Sequence, residues 1–201
     1  MKYLRIVASA AVVAMALMAL VGPGTASATA LCKNSANTTT CSEKYGAGTE
    51  IKFTNEGTET LTTAFQNNEC SESTFHGTIT VAVGIVTIGV AFLRRICHCP
   101  TTVLKNGSLS ITHILGTDNG TVTSSGLEMT TSCSTIFGTV HCIYSTNGTH
   151  TGTLTGGNPA NLTISSANLP RLTTNALCDE SANLDGTYKV STPAPLFVSE
   201  G

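Results

Sequence analysis

The sequence predicts an all-β protein: an antiparallel β-sandwich or partly closed barrel, stapled by disulfides, behind a cleaved signal peptide. Three observations predict it. Threonine supplies roughly one residue in six and, with Val and Ile, fills short runs bounded by Gly, Asn and Pro. Eight cysteines all lie beyond an apolar N-terminal stretch. No long helical periodicity follows that stretch.

The N-terminus reads as an export leader. Lys2 and Arg5 form a basic start, Ile6 to Val21 is apolar, and Gly22-Pro23-Gly24 breaks any helix. Ala26-Ser27-Ala28 and Ala28-Thr29-Ala30 both fit the small-x-small cleavage pattern, giving a mature start near Thr29 or Leu31. The division expected is residues 1–30 as signal peptide and 31–201 as one disulfide-bonded β domain, since no low-complexity linker divides the rest. An uncleaved anchor is the competing reading, but the apolar run is short for a span and a cleavage site follows it directly.

Residues 31–48 are polar and read as a disulfide-pinned loop. Thr49–Thr54 and Thr60–Phe65 are expected strands, with Asn55-Glu56-Gly57 as the turn between them. Phe75 to Leu93 is the most apolar part of the mature chain, followed by Arg94-Arg95. Two readings compete for Gly77–Leu93: one or two buried strands with glycines at a bend or bulge, or a membrane segment at the lower limit of length. The strands are preferred, because insertion would put the later cysteines across the bilayer from the first three. Ser108–Leu115 and Thr121–Thr131 are expected strands around an Asp118-Asn119-Gly120 turn, with a break at Gly126. Gly138–Ser145 and Thr149–Thr155 follow, split by a tight turn at Asn147-Gly148. Asn161–Ser165 is a further strand. Thr187–Val198 ends the series as an edge strand, because it carries Pro193 and Pro195.

An even cysteine count implies four disulfides, with 105 connectivities open. Cys32–Cys41 and Cys133–Cys142 are local pairs, the second across the turn near Gly138. Cys97 and Cys99 share one face of a strand, and a bond between them would close a strained ring. They are expected to pair at long range with Cys70 and Cys178, and Cys70–Cys99 with Cys97–Cys178 is the arrangement adopted as the expectation. Cys97-His98-Cys99 lacks the second knuckle that zinc requires, so two half-cystines explain it better.

Charge excludes some partners. Without Lys2 and Arg5, eight basic side chains face twelve acidic ones. That balance opposes nucleic acid and a polybasic membrane surface.

A set of short motifs carries a resemblance. Leu31-Cys32-Lys33 and Cys41 precede Tyr45-Gly46-Ala47-Gly48-Thr49. Then come Cys142-Ile143-Tyr144, Thr155-Gly156-Gly157-Asn158-Pro159-Ala160, Cys178, and the tail from Tyr188 to Val198. Over most of the mature chain these resemble a set of uncharacterised secreted proteins of actinobacteria. The resemblance implies a small exported, disulfide-bonded β-protein of bacterial origin. It carries across no activity and no catalytic residue.

The residues themselves offer little catalytic chemistry. The chain has no Gly-x-Ser-x-Gly, no His-Glu-x-x-His and no Walker-type loop. His76, His98, His113, His141 and His150 read as structural. Asp179, Ser181, Asn183 and Asp185 alternate oxygen side chains before Gly186, a weak calcium pattern in which Asp179, Asn183 and Asp185 are the candidate ligands. A polar turn tied down by Cys178 is the competing reading. No cofactor is expected.

The function expected is a secreted, non-catalytic extracellular or cell-surface module that binds an extracellular ligand or envelope component. Its mature part is expected to have no stable membrane span. The alternatives are an extracellular hydrolase with an unrecognised site and a disulfide-rich protease inhibitor. Absence of Trp argues against sugar stacking, leaving only Tyr45, Tyr144 and Tyr188 as mature tyrosines.

Overall fold

In a β-strand successive side chains point to opposite faces, so alternation of apolar and polar residues sorts them into an inside and an outside. Val86, Ile88, Val90 and Phe92 are buried in this way, while alternate residues between them face out. The computed structural model describes residues 28–36, 40–64, 66–136 and 138–201. The expected leader, except for Ala28, Thr29 and Ala30, therefore lies outside the described residues, as do Phe65 and positions 37–39 of the N-terminal loop.

The described residues form strands and no helix. They are β1 (Thr29–Cys32), β2 (Glu50–Asn55), β3 (Glu59–Thr62), β4 (Asn67–Val81), β5 (Val83–Gly84), β6 (Val86–Cys97) and β7 (Thr101–Lys105). There follow β8 (Gly107–His113), β9 (Gly120–Thr135), β10 (Gly138–Thr155), β11 (Asn161–Pro170), β12 (Ser181–Thr192) and β13 (Phe197–Glu200). Hydrogen-bonded neighbours run β10–β11–β12–β2–β4–β6–β8–β9, and β9 pairs back onto β10. That circuit is the closed part of the barrel. Farther along, β7 pairs with β9 alone and does not pair with the end of β6, so closure is partial. A small sheet, β13–β1–β5, lies across one end, and Leu31 and Val198 join the main core from it, beside Leu196 just ahead of β13.

Three expected features are corrected. Asn55-Glu56-Gly57 does not reverse the chain: β2 and β3 run on in one direction, both antiparallel to β4 and both paired with β12. The Asn55 side chain replaces the interrupted ladder, donating to the carbonyls of Gly57 and Ser71 and accepting from Ser73 N–H. Asn147-Gly148 is likewise a bulge inside β10 rather than a turn. Gly57 (φ 83°) and Gly148 (φ 69°) have the left-handed backbone that bulges and turns both demand. Finally, the expected Thr187–Val198 edge strand divides: Phe197 and Val198 belong to β13, an edge of the small sheet, whereas β12 is no edge strand. It lies between β11 and β2 with β3, begins at Ser181, and ends before Pro193 and Pro195.

Gly77–Leu93 is a strand pair, β4 against β6, reversed through Ala82–Ile85. Gly77 has a specific cause: a Cβ there would lie 1.7 Å from the Gly89 carbonyl oxygen across the ladder. Outward residues of β4 include Asn67, Glu69, Ser71 and His76. A lipid-facing barrel would carry an apolar outer band, the opposite arrangement. No helix among the described residues is long and apolar enough to cross a membrane.

The folded body takes in Thr29 and Ala30, two residues ahead of the expected domain start. All eight cysteines are paired. Cys32–Cys41 is as expected. The other bonds differ from Cys133–Cys142, Cys70–Cys99 and Cys97–Cys178: they are Cys70–Cys97, Cys99–Cys133 and Cys142–Cys178. The ladders explain the change. Cys70 sits directly opposite Cys97. Cys133 and Cys142 lie on neighbouring strands but out of register, opposite Val140 and Thr131 respectively, so each bonds elsewhere. Four disulfides put the folded chain in an oxidising compartment.

Peptide mapping of the unreduced protein is expected to recover these four linkages. A Cys99→Ser/Cys133→Ser double variant, opening a loop with a sequence separation of 34, should lose about 3–4 kcal/mol of unfolding free energy in a urea titration.

Candidate functional site

At the end of the barrel away from the small sheet, three connections meet: the segment from β3 to β4, the β9–β10 hairpin, and the segment from β11 to β12. They enclose a small depression that opens to solvent. Its walls are apolar, from Leu61, Val140 and Tyr144, reinforced by Cys133 and the Cys142–Cys178 bond. Thr63, Gln66 and Asp179 supply the polar rim. A concave apolar site with a few convergent polar groups is the usual form of a small-ligand pocket.

The rim is held by hydrogen bonds from the chain itself. The Asp179 carboxylate accepts from Ala64 N–H at 2.6 Å. Arg171 donates to the carbonyls of Asn175 and Cys178. Gln66 donates to Cys99 Sγ. Tyr144 is buried, and its phenol stays protonated beyond the ordinary tyrosine range, first through desolvation and then through Asp179.

Asn68 lines the depression and connects it to the interior. Its amide donates to Cys99 O and Thr101 Oγ1, and its side-chain oxygen accepts from Cys99 N–H at 2.8 Å. Arg94 lies behind it, donating to Asn68 O and Thr101 Oγ1 at 3.4 Å. Arg94 Nε meets Glu59 Oε1 at 2.6 Å, with both side chains fully enclosed. Glu59 Oε2 accepts from the Tyr188 hydroxyl at 2.6 Å, and that hydroxyl accepts from Ser73 Oγ at 3.0 Å. Gly186 makes room, because a Cβ there would crowd Glu59 Cγ and the Tyr188 ring at 3.2 Å. Below, Phe75 stacks on Phe92 at 4.3 Å and contacts Tyr188 at 4.9 Å.

Burial of Tyr188, reinforced by Glu59, pushes its hydroxyl well above the ordinary value of 10.0, so it remains a donor. The ion pair and the Tyr188 hydrogen bond offset part of the cost of placing a carboxylate and a guanidinium inside a core, although Glu59 Oε1 and Arg94 Nε face each other without hydrogen-bond geometry. It was missed in the sequence, although strand parity carries the signal: Arg94 is in phase with Phe92 and Val90, and Glu59 with Leu61.

The candidate calcium ligands are not brought together. Asp179 is bound to Ala64 N–H at the rim. Asn183 and Asp185 sit in β12, where the extended chain separates alternate side chains by about 6.6 Å. Asp185 instead accepts from Ser166 N–H at 2.7 Å, filling the bulge in β11. Among the described residues no three His, Cys, Asp or Glu side chains are grouped to hold a metal. The histidine contacts are local: His76 with Glu50 on the outer face, His113 Nε2 with Thr117 O, and His141 Nδ1 with Ser132 Oγ. Cys97 and Cys99 are both consumed in disulfides.

No family model, curated protein or solved structure matches the chain.

Arg94→Met leaves Glu59 buried without its counter-charge and should cost about 3–5 kcal/mol in urea unfolding, with much of the loss recovered in Glu59→Gln/Arg94→Met. Raising the pH should also destabilise the protein. Above about pH 10 the unfolded chain releases the Tyr188 proton that the native state retains, so stability falls as pH rises from there. Tyrosinate absorbance rising together with loss of the folded circular dichroism signal checks this. A Tyr188→Phe variant should show a smaller alkaline loss.

Proposed function

We propose that the chain is a secreted, non-catalytic binding module of the cell surface or its surroundings, with the barrel mouth as its binding face. The observation that carries this reading is the contrast between mouth and interior. The interior acid, base and phenol are sealed and paired with one another. At the mouth, by contrast, the apolar side chains of Leu61, Val140 and Tyr144 form a buried floor behind a ring of hydroxyl, amide and carboxylate groups that reaches solvent. Aliphatic side chains stand uncovered at the same end: Ile136, next to Thr135 of the lining, is 93% exposed, and Leu177 is 51% exposed. Exposed aliphatics around a concave apolar floor favour a ligand with an apolar portion, drawn from the medium or the envelope. Covalent bracing and a polar surface with little charge suit an oxidising extracellular setting.

The test is sedimentation of the purified, oxidised protein with isolated envelope fractions and with extracted envelope lipids. Wild type is expected to bind one of them. Gln66→Trp, which fills the rim, should weaken that binding at least tenfold, about 1.4 kcal/mol. Thr112→Lys, on the outer face of β8, should leave it unchanged. Equal binding by both variants, or turnover of an envelope polymer by the wild type, would overturn the proposal.

A further inference from the structure

We infer that export processing cuts the Ala28–Thr29 bond, and that the folded body is built to begin at Thr29; this rests on the export reading above. The sequence offers two small-x-small sites, ending at Ala28 and at Ala30. The fold distinguishes them. Thr29, Ala30, Leu31 and Cys32 are all buried, at 0–1% exposure, whereas Ala28 is half-buried and lies outside the strand. Thr29 opposes Gly84, and Ala30 opposes Val83; these two positions are the whole pairing of β1 with β5. On the other side they oppose Glu200 and Ser199, half of the pairing with β13. Thr29 Oγ1 also accepts from His113 N–H at 2.8 Å, fastening the small sheet to the end of β8.

A cut after Ala30 would therefore delete β5 from the small sheet and remove the acceptor for His113 N–H. Of the described residues, a cut after Ala28 removes Ala28 alone, whose carbonyl accepts from Gly201 N–H. In that step water adds across the Ala28–Thr29 amide. Ala28 leaves as the carboxylate end of the leader, and Thr29 keeps the nitrogen as a new α-ammonium group beside Glu200 in the register. The co-reactant is a leader peptidase that selects small side chains one and three residues before the cut, here Ala28 and Ala26.

The experiment is N-terminal sequencing and intact mass of the full chain released by an exporting bacterial host. The result expected is a Thr29 start. Ala26→Phe alters only the site ending at Ala28 and leaves the described residues unchanged, so it should reduce correctly cut product at least tenfold. A refolded chain beginning at Leu31 should melt at a lower temperature than one beginning at Thr29. A natural start at Leu31 or another residue, or an Ala26→Phe variant cut as efficiently as wild type, overturns the inference while leaving export intact. A chain kept in the cell with its leader attached overturns the export reading and this inference together.

Discussion

The pairing of β9 with β10 is the constraint on which the rest depends. It joins the last strand of the circuit to the first, so an open sheet becomes a tube with an inside. Once the tube exists, the period-two alternation of each strand decides the fate of every residue along it. Leu109, Ile111, Val122, Leu154 and Leu162 meet in a common interior, and the threonines between them face water. Closure also removes most of the unpaired strand edges that a threonine- and valine-rich sheet would otherwise expose to other chains.

Inside that tube the polar network divides the core. Below it Phe75 meets Phe53 edge-on and stacks on Phe92, and above it Asn68 opens to the mouth. An ion pair in this position adds little net stability over well-packed apolar residues, because desolvation offsets the attraction. Its effect is geometric. Glu59 fixes where β3 lies against β12 through Tyr188, and Arg94 fixes β6 against Asn68 and Thr101. These are the places where β2 gives way to β3 and where β6 parts from β7, and where ladder hydrogen bonds alone leave register weakly specified.

Much of the architecture was legible in the sequence. Strand composition, turn spacing and the cysteine count gave an all-β, disulfide-bonded body, and the strands on either side of Gly84 and of Asp118–Gly120 were readable from apolar runs and turn residues. Two things were not. Asn-Gly and Glu-Gly dipeptides signal a left-handed backbone, and bulges within a long strand require it as much as hairpin turns do, so two bulges were read as turns. Disulfide connectivity depends on which strands become neighbours, a property of the closed tube that local spacing does not contain. The mouth was illegible for the same reason: Leu61, Val140 and Asp179 are far apart in the chain and meet only through closure.

The tripeptide Cys97-His98-Cys99 reaches in two directions, to β4 through Cys70 and to β9 through Cys133. It thus bridges the gap where β6 and β7 do not pair. With the β9–β10 ladder and the Cys142–Cys178 bond, disulfides and hydrogen-bonded strand pairs together brace the opening. A braced aperture of this kind resists dilation. On the binding reading proposed above, a guest would have to fit a shape set in advance, which favours selectivity by outline, at a small entropic cost of ordering, over adaptability.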